Sequence, residues 1–276
     1  MMWMIGILLF LIGLIAGTVG SLAGLGGGVI IVPSILFLSE VSYGIGDLTP
    51  AVAVGTSLFL IILTALASTV SFSKQKRVDY KSGWIFFLAC APGTIVGAYL
   101  TKLFEVDTYL ILFGLLMVFV SIVLSIKERG MKFRLKATVK RVLQDGSGNT
   151  YEYGYHQVFA IVFSFIVGMI SGMFGIGGGS LLVPMMVLLF TFPPHVATAT
   201  SMFVILLSAG VGSVAHIVQG NVDWMLVAFL APGSWLGGKL GAWISARLSS
   251  KALLNFFRIV ILLLAVRMIA DGLHLI

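Results

Sequence analysis

Ten apolar runs, at about 3–23, 28–39, 50–72, 83–101, 108–126, 156–174, 179–191, 195–218, 224–246 and 252–270, fill most of this 276-residue chain. Eight of them are long enough to cross a bilayer core, which takes about 20 helical residues, or roughly 17–25 in practice. Composition leaves no other home for so much apolar surface. Of all residues 59% are hydrophobic and 10% charged, and the mean hydropathy is +1.12. A soluble globule must clothe itself in polar groups, so it cannot hide this excess. High apolar content also excludes disorder, and the 33 glycines lack the three-residue period of collagen. The expected fold is an all-α polytopic membrane protein.

The two remaining runs, Val29–Leu38 and Ser180–Phe190, are too short for a perpendicular span, and each directly follows a glycine cluster. They also resemble each other. Gly24-Leu25-Gly26-Gly27-Gly28 with Val32-Pro33 matches Gly175-Ile176-Gly177-Gly178-Gly179 with Val183-Pro184 at an offset of 151. Pro50 through Thr56-Ser57 matches Pro194 through Thr200-Ser201 at an offset of 144, and Val78-Asp79-Tyr80 matches Val222-Asp223-Trp224 at the same offset. Ala91-Pro92-Gly93 matches Ala231-Pro232-Gly233 at an offset of 140. Four landmarks in one order indicate an internal duplication of five segments per half. The first repeat is assigned to residues 1–126 and the second to 156–276. Residues 127–155 form a basic linker, in which strand-like alternation and an Asp145-Gly146 turn predict a small hairpin.

Cations set the expected topology. Thirteen of the 17 lysines and arginines lie in three places: the connection holding Lys74, Lys76, Arg77 and Lys81; the linker; and the connection holding Arg247 and Lys251. With ten segments all three fall on one side, the cytoplasm, and both termini fall outside. Five segments per half then make the second repeat inverted. Fusing each short segment with its predecessor would give eight spans and push Arg247 and Lys251 outside, so the charges favour five plus five. The net charge of +7 therefore determines topology and is not a nucleic-acid footprint. The N-terminal run lacks a basic flank, which reads as a first membrane segment and not as a cleaved leader.

The glycine clusters are the strongest functional feature. A helix that starts inside the membrane has unpaired N–H groups and a partial positive charge at its first turn. Lipid cannot satisfy them, so such a break must face protein or water, and an anion suits it. Gly26, Gly27, Gly28, Gly177, Gly178 and Gly179 are candidate ligand contacts, with the alternative that they only allow tight helix packing. Thr56, Ser57, Thr200 and Ser201 recur at equivalent places and are candidate hydroxyl donors. Lys239, with Tyr99 as its counterpart, could neutralise an anion or snorkel to the interface. Pro33, Pro184, Pro92 and Pro232 mark bends or kinks that could serve gating. Asp79 and Asp223, at segment entrances, read as helix caps, and Arg267 with Asp271 as an i,i+4 pair. No metal-ligand spacing, nucleophile–base pair or phosphate loop is present, so neither catalysis nor a cofactor nor a metal site is expected.

Taken together, the duplicated Gly-rich cluster followed by Val-Pro, the Thr-Ser pairs and the two Ala-Pro-Gly turns resemble the sulfite exporter TauE/SafE family over essentially the whole chain outside the linker. The resemblance implies an inner-membrane permease exporting sulfite, an organosulfonate or a related sulfur-containing anion. The expected partners are a small anionic substrate and the lipid bilayer. A secondary transporter is the leading function. A passive anion channel would use the same half-helix ends. A membrane scaffold is disfavoured, because the linker is under thirty residues.

Overall fold

The computed structural model describes residues 2–41, 48–126, 137–245, 247, 262–263 and 265–273. It is mostly helical: α1 (Met2–Ala23), α2 (Gly28–Val41), α3 (Pro50–Lys74), α4 (Tyr80–Leu100), α5 (Val106–Ile126), α6 (Gln157–Phe174), α7 (Gly179–Leu188), α8 (Pro194–Val218) and α9 (Trp224–Ser245). Residues 265–272 are also helical. Among the described residues five helices, α1, α3, α4, α6 and α8, are long and apolar enough to cross a membrane, and α2, α5 and α7 supply shorter apolar stretches. The chain is a polytopic membrane protein. The linker residues 127–136 and, among the cations discussed above, Lys251 lie outside the described residues.

Glycine decides which helices touch. Along α1 and α9, Cβ atoms at Gly233, Gly237 and Gly241 would collide with the carbonyls of Phe10, Leu14 and Thr18 in turn. Along α4 and α6, Cβ atoms at Gly168 and Gly172 would collide with the carbonyls of Cys90 and Thr94, and those at Gly93 and Gly97 with Phe165 and Met169. Small residues one turn apart bring two backbones together, which is how helices associate where lipid is as apolar as the side chains. The rising register in both pairs means that α1 runs parallel to α9, and α4 to α6.

The two long central helices, α3 and α8, pass each other antiparallel, with Gly55 against His216 and Asn221, and Leu58 against Gly212. Helix α3 runs parallel to α9, since Thr56 meets Asp223, Thr64 meets Ser234 and Ser68 meets Gly238. Helix α4 runs parallel to α8, since Asp79 meets Thr200, Gly83 meets Phe203 and Thr94 meets Gly212. Thus α1, α3 and α9 point one way, and α4, α6 and α8 the other.

The linker hairpin is present: β1 (Val139–Gln144) pairs antiparallel with β2 (Thr150–Tyr155), in register from Val139 opposite Tyr155 to Gln144 opposite Thr150. Its turn is longer than a two-residue one. The Asp145 carboxylate closes it by accepting the N–H groups of Ser147 at 2.9 Å and Asn149 at 3.0 Å, the local bonding that makes aspartate a turn residue.

Replacing a contact glycine should cost what overpacking costs, about 1–3 kcal/mol. Gly168→Ala is expected to lower the melting temperature of detergent-purified protein. Gly210→Ala meets open space and should leave it unchanged or raise it slightly, by up to about 1 kcal/mol of helix preference. Equal effects of the two would show that the α4–α6 approach is not close.

Candidate functional site at the glycine junction

The breaks between α1 and α2 and between α6 and α7 are built alike. Gly24, Gly26 and Gly27 have φ of +74°, +85° and +94°, and Gly175, Gly177 and Gly178 have +68°, +72° and +70°. Only glycine takes such a run of left-handed conformations without steric cost. The first turn of α2 is anchored on the Gly27 carbonyl, which accepts from Ile30 and Ile31 at 3.0 and 3.1 Å. The Gly178 carbonyl plays the same part for Leu181 and Leu182 at 3.2 and 3.0 Å.

The two breaks meet. A Cβ at Gly28 would collide with the Gly175 carbonyl, and one at Gly179 with the Gly24 carbonyl. Gly26 and Gly177 both lie against Ile61 and Ile205, the middle residues of α3 and α8. All six glycines singled out from the sequence are buried here, in one backbone-to-backbone junction at the crossing of the two central helices.

All four hydroxyls singled out from the sequence belong to this frame. Ser57 donates to the Gly175 carbonyl at 2.9 Å, and Ser201 donates to the Gly24 carbonyl at 3.0 Å. Thr56 accepts from the Asp223 amide, and Thr200 from the Asp79 amide, each at 3.0 Å. In this conformation they tie one half to the other. Asp79 and Asp223 cap their helices, Asp79 accepting from the Ser82 amide at 3.1 Å and Asp223 from the Met225 and Leu226 amides at 2.8 and 3.0 Å.

Lys239 does not reach the junction. It follows Gly238, the residue that faces α3, so the helical rotation turns it outward. There it is exposed in a groove of about 520 Å³ with Val70, Ser71, Lys74, Trp235 and Trp243, its ammonium 5.2 Å from the Trp235 ring centre. Tyr99 lines the corresponding groove between α4 and α8, also about 520 Å³, which is otherwise apolar. The four prolines are all inside helices; Pro33 and Pro184 are buried, whereas Pro92 and Pro232 face outward. Arg267 and Asp271 form the expected pair at 3.5 Å.

One arrangement was not foreseen from sequence. The hairpin docks on the turn between α3 and α4. Gly146 donates to the Gln75 carbonyl at 2.9 Å, Tyr153 donates its hydroxyl to Asp79 at 3.0 Å, and Arg141 lies 3.6 Å from the same carboxylate. The Tyr153 and Tyr155 rings pack on Phe192, Phe190 and Phe86. At the opposite turn, Asp223 has no such cover among the described residues. The Asp145-Gly146 turn before Tyr151 and Tyr153 signalled a hairpin, whereas the alternation of Lys132, Phe133, Arg134, Leu135 and Lys136 lies outside the described residues, and nothing local named the hairpin's partner.

Burial, and then the Asp79 carboxylate beside it, push the Tyr153 phenol well above its ordinary value of about 10. A raised native value means that this bond contributes its full stability below about pH 10 and loses it as pH rises through the native value. Tyr153→Phe should therefore loosen the hairpin at neutral pH, seen as faster amide exchange at Val139–Gln144, and should remove a late-ionising phenol from an ultraviolet titration. Asp79→Ala removes the helix cap together with both hairpin partners and should cost more, about 2–3 kcal/mol. Unchanged exchange in both variants would rule out the docking.

Comparison with known proteins places this arrangement. Residues 9–268 match the family described as Sulfite exporter TauE/SafE. The probable membrane transporter protein YunE of Bacillus subtilis is 48% identical over 250 residues, which cover 90% of this chain and 92% of YunE. A probable membrane transporter protein of Xylella fastidiosa is 28% identical over 250 residues, covering 89% of this chain and 88% of its own. The Sulfite exporter TauE/SafE family protein 6 of Arabidopsis thaliana is 29% identical over 87 residues, 32% of this chain and 20% of its own. No solved structure matches the chain. With a match that spans nearly its whole length, the chain belongs to the sulfite exporter TauE/SafE family of membrane transporters.

Proposed function

We propose that this protein is a secondary transporter that exports a small sulfur-containing anion, such as sulfite or an organosulfonate, and binds it at the glycine junction near the bilayer midplane. The observation that carries the reading is the meeting of two helix starts, α2 and α7, at the middle of the crossing helices α3 and α8. Helix N-termini attract anions, each by roughly 0.3–1 kcal/mol when exposed and up to about 2 when partly buried. Broken helices meeting at a repeat interface are where secondary transporters hold substrate. Thr56 and Thr200 accept hydrogen bonds in the present state, so their own protons are not spent on those bonds. Ser57 and Ser201 would exchange their carbonyl partners for substrate oxygens. The resulting affinity is modest, which suits release.

In this reading the halves, 1–126 and 156–276, are inverted repeats of five segments each; the tenth, expected at about 252–270, lies mostly outside the described residues. Helix directions support it: the first half holds α1 and α3 in one direction and α4 in the other, and the second holds α6 and α8 opposite to α1 and α3, with α9 returning. The linker 127–155 is cytoplasmic and both termini face the outside of the inner membrane, because that places the three cation-rich connections inside. Pro92 and Pro232, with Pro33 and Pro184, act as the bends around which the helices rearrange.

Two experiments test this. In proteoliposomes, sulfite flux should saturate and respond to the proton gradient, and Gly27→Leu or Gly178→Leu should lower it at least tenfold. Unsaturable, gradient-independent flux would identify a channel instead, and normal flux by well-folded leucine variants would return the glycines to packing. For topology, Cys90→Ser removes the single cysteine. A new cysteine at Gly220 should then react with an impermeant reagent from outside, and one at Lys136 should not. The reverse pattern overturns the orientation.

A further inference from the structure

The two glycine clusters are alike in backbone but not in surroundings. In the first, backbone meets backbone: a Cβ at Gly20 would collide with the Gly27 amide, and one at Gly27 would lie 2.7 Å from the Ala16 carbonyl oxygen. In the second, Ser171 stands where the first half has Gly20, and Ser180 where it has Val29. Ser171 is 1% exposed, Ser180 is fully buried, and neither hydroxyl has a hydrogen-bond partner among the described residues. A serine or threonine buried in a helix has a ready acceptor in the carbonyl one turn back, and Ser68 and Thr94 take it at 2.7 and 2.9 Å. Ser171, inside α6, does not; Ser180, the second residue of α7, has no helical carbonyl one turn back.

Their positions relate to the start of α7. The Ser171 side chain packs against Gly178: a Cβ on that glycine would lie 3.4 Å from Ser171 Cβ and 3.6 Å from its Oγ. Gly178 is the N-cap of α7, left-handed and without a side chain to cap the helix. Ser180 is the second residue of the same helix. Two buried hydroxyls without partners thus belong to a helix start at which Leu181 and Leu182 already bond the Gly178 carbonyl and the Gly179 and Ser180 amides have no acceptor within the helix. An unpartnered buried polar group is unfavourable, and these two belong to residues beside the same N-cap glycine, Ser171 packed against Gly178 and Ser180 two positions after it.

We infer that the oxyanion site is one-sided: Ser171, Ser180 and the first amides of α7 hold the anion, and the first cluster is the packed support against which it closes. This rests on the anion-transport reading above and narrows it. Hydroxyl protons and the positive end of a helix favour a ligand that only accepts hydrogen bonds and carries negative charge. The pyramidal SO3 head shared by sulfite and sulfonates offers three such oxygens, enough to take both hydroxyls and a backbone amide. A cation would meet the wrong end of the dipole.

The test uses full-length protein in nanodiscs, with sulfite and methanesulfonate as probes, reading the ligand-induced rise in melting temperature and the apparent affinity it implies. The double variant Ser171→Ala with Ser180→Ala should bind at least tenfold more weakly. Its ligand-free melting temperature should stay level or rise, because the substitution deletes orphaned polar groups; a merely structural serine pair would lower it. Val29→Ala, at the matching place in the first half, should change affinity by less than twofold. If the wild type binds both probes and the double alanine variant binds them equally, the one-sided site is wrong and the transport reading stands. If the wild type responds to neither, the anion reading itself fails, and this site fails with it.

Discussion

A helix broken inside an apolar layer leaves amide and carbonyl groups that lipid cannot satisfy, and the architecture follows from how this chain answers that problem twice. The carbonyls of Gly24 and Gly175 are taken by Ser201 and Ser57, each from the opposite half. Neither break can be satisfied alone, because the hydroxyl it needs is carried by the other half's long central helix. The two halves are therefore bound at their weakest backbone points. This requires α3 and α8 to cross at their middles and the clusters to lie between them. The glycines make the approach possible, since a Cβ at Gly28 or Gly179 would strike the other cluster's carbonyl.

The same exchange continues outward from the junction. Thr56 accepts the amide of Asp223, and Thr200 that of Asp79. Each aspartate then caps the helix that follows. A shift of either central helix is thereby linked to the start of α4 or α9 through one hydroxyl and one capping carboxylate. At Asp79 the linkage extends further, because Tyr153 and Arg141 of the hairpin hold the same carboxylate. The hairpin thus sits two hydrogen bonds away from Thr200, beside the glycine junction. At Asp223 the chain of bonds among the described residues ends at the helix cap. An otherwise paired structure is loaded unequally on its two sides.

Much of this was legible in the chain itself. Ten apolar runs determine a helical membrane protein, and the repeated Gly-Gly-Gly clusters with their Val-Pro sequels determine two alike glycine breaks. Hydropathy and glycine conformation act over a few residues, so they can be read locally. The capping role of Asp79 and Asp223 and the hairpin between the halves are local for the same reason: one needs a carboxylate at a helix start, the other alternation around a turn.

Partner choice is what only the tertiary structure decided. Equivalent hydroxyls at Thr56, Ser57, Thr200 and Ser201 marked important positions, but a serine has no preference between a ligand and a glycine carbonyl until folding brings one within reach. Lys239 was singled out because a cation inside an apolar run is rare, yet one residue of helical rotation past Gly238 sends it into an outward groove beside Trp235. Ser171 and Ser180 escaped notice because two serines in an apolar sequence are unremarkable. Their distinction is to be buried without partners beside the start of α7, and such surroundings are three-dimensional, so no spacing of residues records them.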